Sequence, residues 1–154
     1  MMKGKIKHLV CISCLVSTMN LQANPDNPVV QHGSATFNGL GSNHLTVTNT
    51  PNAIINWQQF NIDPNQVTQF IQQNASSGVL NRVTGIDPSR LLGSLTSNGK
   101  VYLINPNGMV FGQNAVIDTA GFMASTLNMT DNDFLTGKFN FSDLDNASEI
   151  LNQG

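Results

Sequence analysis

The stretch Gly99–Leu127, GKVYLINPNGMVFGQNAVIDTAGFMASTL, decides the fold of this chain. Its apolar runs are three or four residues long, which is too short for helices, and Asn-Pro, Asn-Gly and Gly-Gln pairs stand between them. These pairs favour turns, because Pro fixes φ while Gly and Asn tolerate positive φ. Brief strands wound around tight corners are typical of a β-solenoid, in which a coil buries its core only by stacking on the next coil.

Four short motifs stand in order along the chain: IINWQQFNI at Ile54–Ile62, NRVTG at Asn81–Gly85, NPNGMVFG at Asn105–Gly112 and GFMAST at Gly121–Thr126. One such motif alone would be weak, but four in order are a specific signal. Together they resemble segments of the two-partner-secretion domain, also called the haemagglutination activity domain. This family stands at the N-terminus of filamentous haemagglutinin-like exoproteins of Gram-negative bacteria, and the chain is similar to its high-molecular-weight adhesin type.

The resemblance implies an all-β fold, a right-handed parallel β-helix (a single-stranded β-solenoid) with short extra-helical strands. It also implies a secretion-signal domain that enters the periplasm through the Sec translocon and is then recognised by a dedicated outer-membrane β-barrel transporter with periplasmic domains. The domain would nucleate β-helix folding at the cell surface, so the protein would be secreted or surface-bound. No enzymatic activity and no cofactor are expected.

The first 23 residues have the pattern of a signal peptide. A basic start at Lys3–His8 precedes an apolar run at Leu9–Met19 that is too short to span a bilayer as an ordinary helix. The small residue Ala23 predicts cleavage before Asn24, and a lipobox at Cys14 is a poorer alternative. Residues 24–154 would then be the N-terminal part of the secretion domain, truncated at its C-terminal end, since the sequence stops where a strand enters a turn.

Composition excludes several classes of function. Both cysteines, Cys11 and Cys14, lie in the predicted leader, so the mature chain has neither a disulfide nor a thiolate metal site. Such a chain can thread an outer-membrane pore without locked loops. Nucleic acid and anionic lipid are poor partners, because the mature chain has nine acidic residues and only four basic ones. The basic residues are Arg82, Arg90, Lys100 and Lys138.

The corner formed by Asn105, Pro106, Asn107 and Gly108 has two interpretations. It is a stable β-turn that closes a coil, with Pro106 setting the bend and Gly108 requiring positive φ. The family resemblance implies that the same four residues belong to the surface recognised by the transporter during export. Both interpretations can hold together.

Other residues with reactive side chains favour structural roles. His32 and His44 are expected on the surface, since they have no acidic partner at ligand spacing, and no metal site is expected. Ser125 lacks the sequence context of a nucleophile. Asp143 and Asp145 are interpreted as a solvated acidic loop, and Trp57 as a core residue.

The apolar pattern predicts a series of short strands. Asp63–Ile71 is ambiguous, because Asp63, Pro64 and the apolar spacing would also suit a short capped helix, but the all-β context favours a strand. Asn24–Gln31 is expected to be an extended leader and Asp131–Phe134 a polar, punctuated segment. The strands are predicted at Gly33–Phe37, Leu45–Thr48, Ile54–Trp57, Ser77–Val83, Leu91–Leu95, Val101–Ile104, Met109–Phe111, Ala115–Ile117, Phe122–Ala124, Phe139–Phe141 and in Glu149–Gly154.

Three alternatives to a secretion signal remain open at the level of sequence. The coil surface could bind a host-surface glycan or protein directly, as an adhesin domain. The chain could also begin a contact-dependent growth inhibition toxin. A β-helix lyase is disfavoured, because no cluster of acidic and basic residues is present.

Overall fold

A computed structural model describes residues 24–142 and 147–154. The predicted leader and the Asp143–Asp145 pair lie outside these residues. In the described part the chain forms strands and one short helix, α1, at Asp131–Leu135. The strands are β1 Val29–His32, β2 Ala35–Asn38, β3 His44–Asn49, β4 Ala53–Trp57, β5 Val67–Ile71, β6 Gly78–Val83, β7 Ser89–Leu91, β8 Ser94–Ser97, β9 Lys100–Ile104, β10 Met109–Phe111, β11 Val116–Asp118, β12 Gly121–Ser125 and β13 Ile150–Asn152.

The strands form the three faces of a parallel β-helix. One face stacks β4, β6, β9 and β12, the second stacks β3, β5, β8 and β11, and the third stacks β7, β10 and β13. All of these neighbours pair in parallel. Two short strands outside the coils, β1 and β2, pair antiparallel with β4 and β3 of the first coil. The structure therefore confirms the predicted β-solenoid with extra strands.

In-register pairing stacks the side chains of successive coils in columns. Ile55, Asn81, Leu103 and Ala124 occupy successive coils in one inward column. The core between the three faces is made of buried aliphatic and aromatic side chains from every complete coil. Each coil therefore supplies only a thin layer of core, and its apolar surface is removed from water by its neighbours.

Trp57 lies at the centre of this core and carries a polar atom into it. Its indole is fully buried and packs edge-on against Phe37 and Phe60. The indole Nε1–H donates to Asn81 Oδ1 at 2.9 Å, and Asn81 Nδ2 donates to the Tyr102 carbonyl at 3.3 Å. Asn81 thus satisfies a buried donor and ties three coils together, which explains a fully buried amide in an apolar column.

A segment after β12 covers the outer surface of the β4–β6–β9–β12 face. Met129 and Phe134 pack there in a second apolar cluster with Ile54, Leu80 and Ile104. Arg82, from the outer surface of β6, holds this cover in place. Its guanidinium donates to the Met129 carbonyl at 2.7 Å and pairs with Asp131 at 2.9 Å.

The strand predictions are largely confirmed, with four corrections. The predicted strand at Phe139–Phe141 is wrong, since these residues belong to no strand, and an isolated bridge joins the next residue, Ser142, to Asn128. The polar segment after Met129 contains α1, whose first turn is capped by Thr130 Oγ1 accepting from Asp133 N at 3.1 Å. The extended leader contains β1, and Leu91–Leu95 is divided between β7 and β8.

The Asp63–Ile71 ambiguity is resolved in favour of a strand that begins at Val67. Gln66 N donates to the Asp63 carbonyl at 3.0 Å and closes a turn rather than a helix. Asn65 has a φ of +65°, a conformation that an α-helix does not contain.

We expect Asn81→Leu to destabilise the fold by about 1–3 kcal/mol, because the Trp57 indole N–H would be buried without an acceptor. The double variant Asn81→Leu/Trp57→Phe should lose less free energy of unfolding than the two single variants lose in sum, since both partners of the hydrogen bond are then absent. Urea unfolding followed by circular dichroism measures all three variants. Strict additivity would contradict the role given to this hydrogen bond.

Candidate functional site

The corner at Asn105–Gly108 joins β9 to β10 as a tight turn. Gly108 N donates to the Asn105 carbonyl at 3.1 Å, and Asn107 N donates to Asn105 Oδ1 at 2.9 Å. Gly108 has a φ of +109°, as the sequence predicts, in a region that side-chain-bearing residues rarely adopt. A Cβ at this position would also lie 3.0 Å from the Glu149 carbonyl oxygen. The turn therefore requires glycine for two separate reasons.

Two side chains of the turn reach back to the previous coil. Asn105 Nδ2 donates to the Asp87 carbonyl at 3.1 Å and to Ser89 Oγ at 2.9 Å. Asn107 Nδ2 donates to the Gly85 carbonyl at 2.8 Å. The motif is thus a clamp between coils as well as a turn, and the segment that it clamps is the loop 84–89.

The four motif residues differ in their exposure. Asn105 is fully buried and Gly108 is buried, whereas Asn107 is half-buried and Pro106 is exposed. A protein that contacted this corner would therefore touch Pro106 and part of Asn107. The buried amide of Asn105 acts on the surface only through the loop that it holds.

The loop 84–89 is fixed at both ends. Thr84 donates to the Trp57 carbonyl from N at 2.8 Å and from Oγ1 at 3.1 Å. Ser89 N donates to the Gly108 carbonyl at 3.0 Å. A Cβ on Gly85 would lie 2.1 Å from the Gln58 carbonyl oxygen, so this position accepts only glycine. Between these anchors, Ile86 is 86% exposed.

A cleft of about 620 Å³ lies beside the loop, on the outer surface of the β7–β10–β13 face. Arg90, Val110 and Leu151 pair across the three strands and form one outward column in its floor. Apolar groups from Pro88 and Leu92 line it with amide and charged side chains. The cleft can accept an extended segment or a protruding loop that brings both apolar and polar groups.

The other residues singled out in the sequence do not join this region. His32 is exposed, with Nδ1 3.1 Å from the Asn52 carbonyl oxygen, and His44 is exposed at the start of β3. Ser125 Oγ donates to the Leu127 carbonyl at 3.0 Å. In residues 24–142 and 147–154 no three His, Cys, Asp or Glu side chains are grouped as a metal site requires. The same part of the chain contains no helix of the length and hydropathy needed to cross a membrane.

The loop 84–89 is the part of the site that sequence reasoning missed. Its first residues belong to the NRVTG motif, but nothing in that motif says which residues hold it. The available signal was the isolated Ile86 between Gly85 and Asp87-Pro88, an apolar residue inside turn chemistry. Such a residue is either folded inward or displayed to solvent, and the structure shows the second.

Comparison with known proteins identifies the family. Residues 21–153 match the family described as the TPS secretion domain. The chain belongs to this family. TPS denotes two-partner secretion, so the resemblance carried by the four motifs is confirmed. The family is a secretion domain and is not a known enzyme family.

A solved relative shows the same fold as this TPS secretion domain. The HMW1 secretion domain from Haemophilus influenzae superposes with a TM-score of 0.80 at 45% identity, over 85% of this chain and 36% of that chain. Two curated heme/hemopexin-binding proteins from the same species are also similar. One is 41% identical over 66% of this chain, and the other is 32% identical over 86% of it. The chain spans only 11% and 15% of their lengths.

Substitutions of buried residues in the turn of this TPS secretion domain should lower the free energy of unfolding more than substitutions of exposed ones. We expect Gly108→Val to cost roughly 1–3 kcal/mol for the positive φ alone. Asn105→Ala should cost about 2 kcal/mol or more, since it leaves buried groups of the previous coil unpaired, and Asn107→Ala about 1 kcal/mol. Pro106→Ala, at the exposed position, should cost less than about 1 kcal/mol.

Urea midpoints followed by the fluorescence of Trp57, the single tryptophan, measure this series. Pro106→Ala is the matched control. Pro106 lies in the same turn, but its side chain has no hydrogen-bond donor that could bind the previous coil. If Asn105→Ala were no more harmful than this control, the clamp would not contribute to stability.

Proposed function

We propose that this chain is the secretion signal of a large exoprotein and is recognised by a dedicated outer-membrane β-barrel transporter through that transporter's periplasmic domains. The observation that carries the proposal is the match of residues 21–153 to the TPS secretion domain. The fold shared with the HMW1 secretion domain supports it. The exoprotein would be secreted to, or displayed on, the surface of a Gram-negative bacterium.

The physics of the coils supports the two tasks of a secretion signal. Among the described residues, the outer strand β1 has one edge without a neighbouring strand in its sheet. Such an edge can pair with a partner's sheet by β-augmentation. Each folded coil also presents a strand edge and an apolar layer to the coil that emerges after it, so early coils can template later ones.

Export would begin through the Sec translocon, with cleavage between Ala23 and Asn24. Asn24 supports this boundary, because its side chain is 1% exposed and belongs to the folded body. Its amide donates to the Ser42 carbonyl, and its Oδ1 accepts from Thr68 Oγ1 at 3.3 Å. Mass spectrometry of exported protein should find Asn24 first, whereas a lipid-modified Cys14 would contradict the proposal.

The remaining alternatives have less support. Two relatives are heme/hemopexin-binding proteins, but the chain corresponds to a small part of each, so that activity is not proposed for these residues. An adhesin domain or the start of a growth-inhibition toxin would each need a function beyond the secretion domain that the family match identifies. Deletion of residues 24–154 separates the cases: export fails for a secretion signal, and only surface binding fails for an adhesin domain.

The turn at Asn105–Gly108 has a recognition role if a substitution in it lowers export by more than the loss of stability explains. We expect Asn107→Ala to reduce secreted yield by more than its modest loss of stability explains, because it releases the Gly85 carbonyl of the displayed loop. Gly108→Val is the comparison, since it damages stability first. Secreted yield is measured beside the urea midpoint for both variants. If yield simply follows stability across the pair, the corner is only a structural turn.

A further inference from the structure

Ile86 differs from the other exposed apolar residues of the described chain. It is 86% exposed, whereas the next largest value for a large apolar side chain is 56%, at Val29. Single exposed apolar residues are common on protein surfaces and usually need no explanation. Ile86 requires an explanation because several specific contacts fix the loop that displays its side chain to solvent.

These contacts are made to the backbone on both sides of Ile86 by two asparagine side chains of the turn. The Gly85 carbonyl, in the peptide group before Ile86, accepts from Asn107 Nδ2, and the carbonyl of the following residue, Asp87, accepts from Asn105 Nδ2. The turn thus fixes the backbone before and after Ile86. A displayed side chain on a fixed backbone loses little conformational entropy on binding, which is the property of a preorganised anchor.

The surface next to Ile86 provides the rest of a binding site. Val110 and Leu151 form the apolar floor of the adjoining cleft, and Pro88 stands at its edge. Arg90 lies in the same column, and its guanidinium forms no ion pair within residues 24–142 and 147–154. Apolar floor, apolar anchor and one unpaired positive charge are arranged as in a protein interface with a polar rim.

We propose that Ile86 and the adjoining cleft are the surface through which this domain docks on the periplasmic domains of its transporter. The proposal rests on the proposed function and names the surface that performs it. The partner is expected to offer a small apolar pocket for a branched aliphatic side chain and a carboxylate for Arg90. The transporter is the favoured occupant because the chain belongs to the TPS secretion domain family, which implies a dedicated outer-membrane transporter, and because the loop is held by the turn proposed above to affect export. The turn motif then acts through the loop that it positions, which accounts for a recognition motif whose first asparagine is buried.

The test compares Ile86→Ser with Ile86→Leu and with Ile71→Ser. Ile71 is a matched control, since it is also exposed, at 42%, and lies at the end of β5 on another face. Binding of the purified chain to the purified periplasmic domains is measured together with secreted yield and the urea midpoint. Ile86→Ser should weaken binding about tenfold or more, as expected for an aliphatic side chain buried on binding, with an unchanged midpoint. Ile86→Leu should retain most of the binding.

Arg90→Glu provides a second, independent readout. It should weaken binding and reverse the sign of the salt dependence, because a carboxylate then faces a carboxylate. Wild-type affinity in both Ile86→Ser and Arg90→Glu, or an equal loss in Ile71→Ser, would overturn the proposal. So would an effect of Ile86→Ser on self-association or on binding of a host ligand, with export intact.

The secretion function and the docking surface can be disproved separately. If deletion of residues 24–154 leaves export intact, the proposed secretion function is wrong and this docking surface falls with it. If deletion abolishes export while Ile86→Ser is exported like the wild type, the secretion function stands and the docking surface is wrong.

Discussion

Parallel, in-register pairing between successive coils is the constraint on which the rest of this structure depends. A coil of three short strands has too little apolar area to form a core, and its backbone groups have no partners within the coil. Stacking satisfies both needs together: Ile55, Leu103 and Ala124 fall into one column because the strands that carry them are hydrogen-bonded in register. The same register places Asn81 where the Trp57 indole needs an acceptor.

Stacking also explains why a short turn can organise a surface some distance away in sequence. Asn105 bonds to Asp87, 18 residues before it, and Asn107 bonds to Gly85, 22 residues before it. The coil repeat places these residues side by side. A turn in one coil therefore sets the shape of a loop in the previous coil, and damage to the turn is felt where Ile86 is displayed. If Ile86 docks on the transporter as proposed, these amides couple stability to recognition, so variants must be judged on both.

The local features could be predicted from sequence, because they depend on neighbouring residues. Turn chemistry at Asn105–Gly108 predicts the corner and the positive φ of Gly108, and short apolar runs predict most strands. The antiparallel strand β1 could not be predicted, since Val29–His32 is a short segment that directly follows Pro28 and becomes a strand only by pairing with β4. Phe139–Phe141 alternates like a strand, but Phe139 stacks on Tyr102 outside the coils instead of joining a sheet. Helix α1 had a local signal, Thr130 three residues before Asp133, that the all-β context obscured.

Only part of the candidate site could be predicted from the sequence, for the same reason. The motif itself is a contiguous pattern, whereas its function as a clamp is a set of contacts between coils whose register no local pattern fixes. The position of Ile86 is likewise a tertiary property, because the loop that carries it is held by contacts to Gln58, Asn105 and Asn107 on other parts of the coils.

Hydrogen exchange of the chain, alone and bound to the periplasmic domains of its transporter, tests the central claim most directly. The claim is that a folded coil presents a loop held by the turn motif to the transporter. It predicts that binding slows exchange in the loop 84–89 and in β10 while the coil amides stay protected. Protection confined to other regions, or a loss of protection throughout the coils on binding, would contradict it.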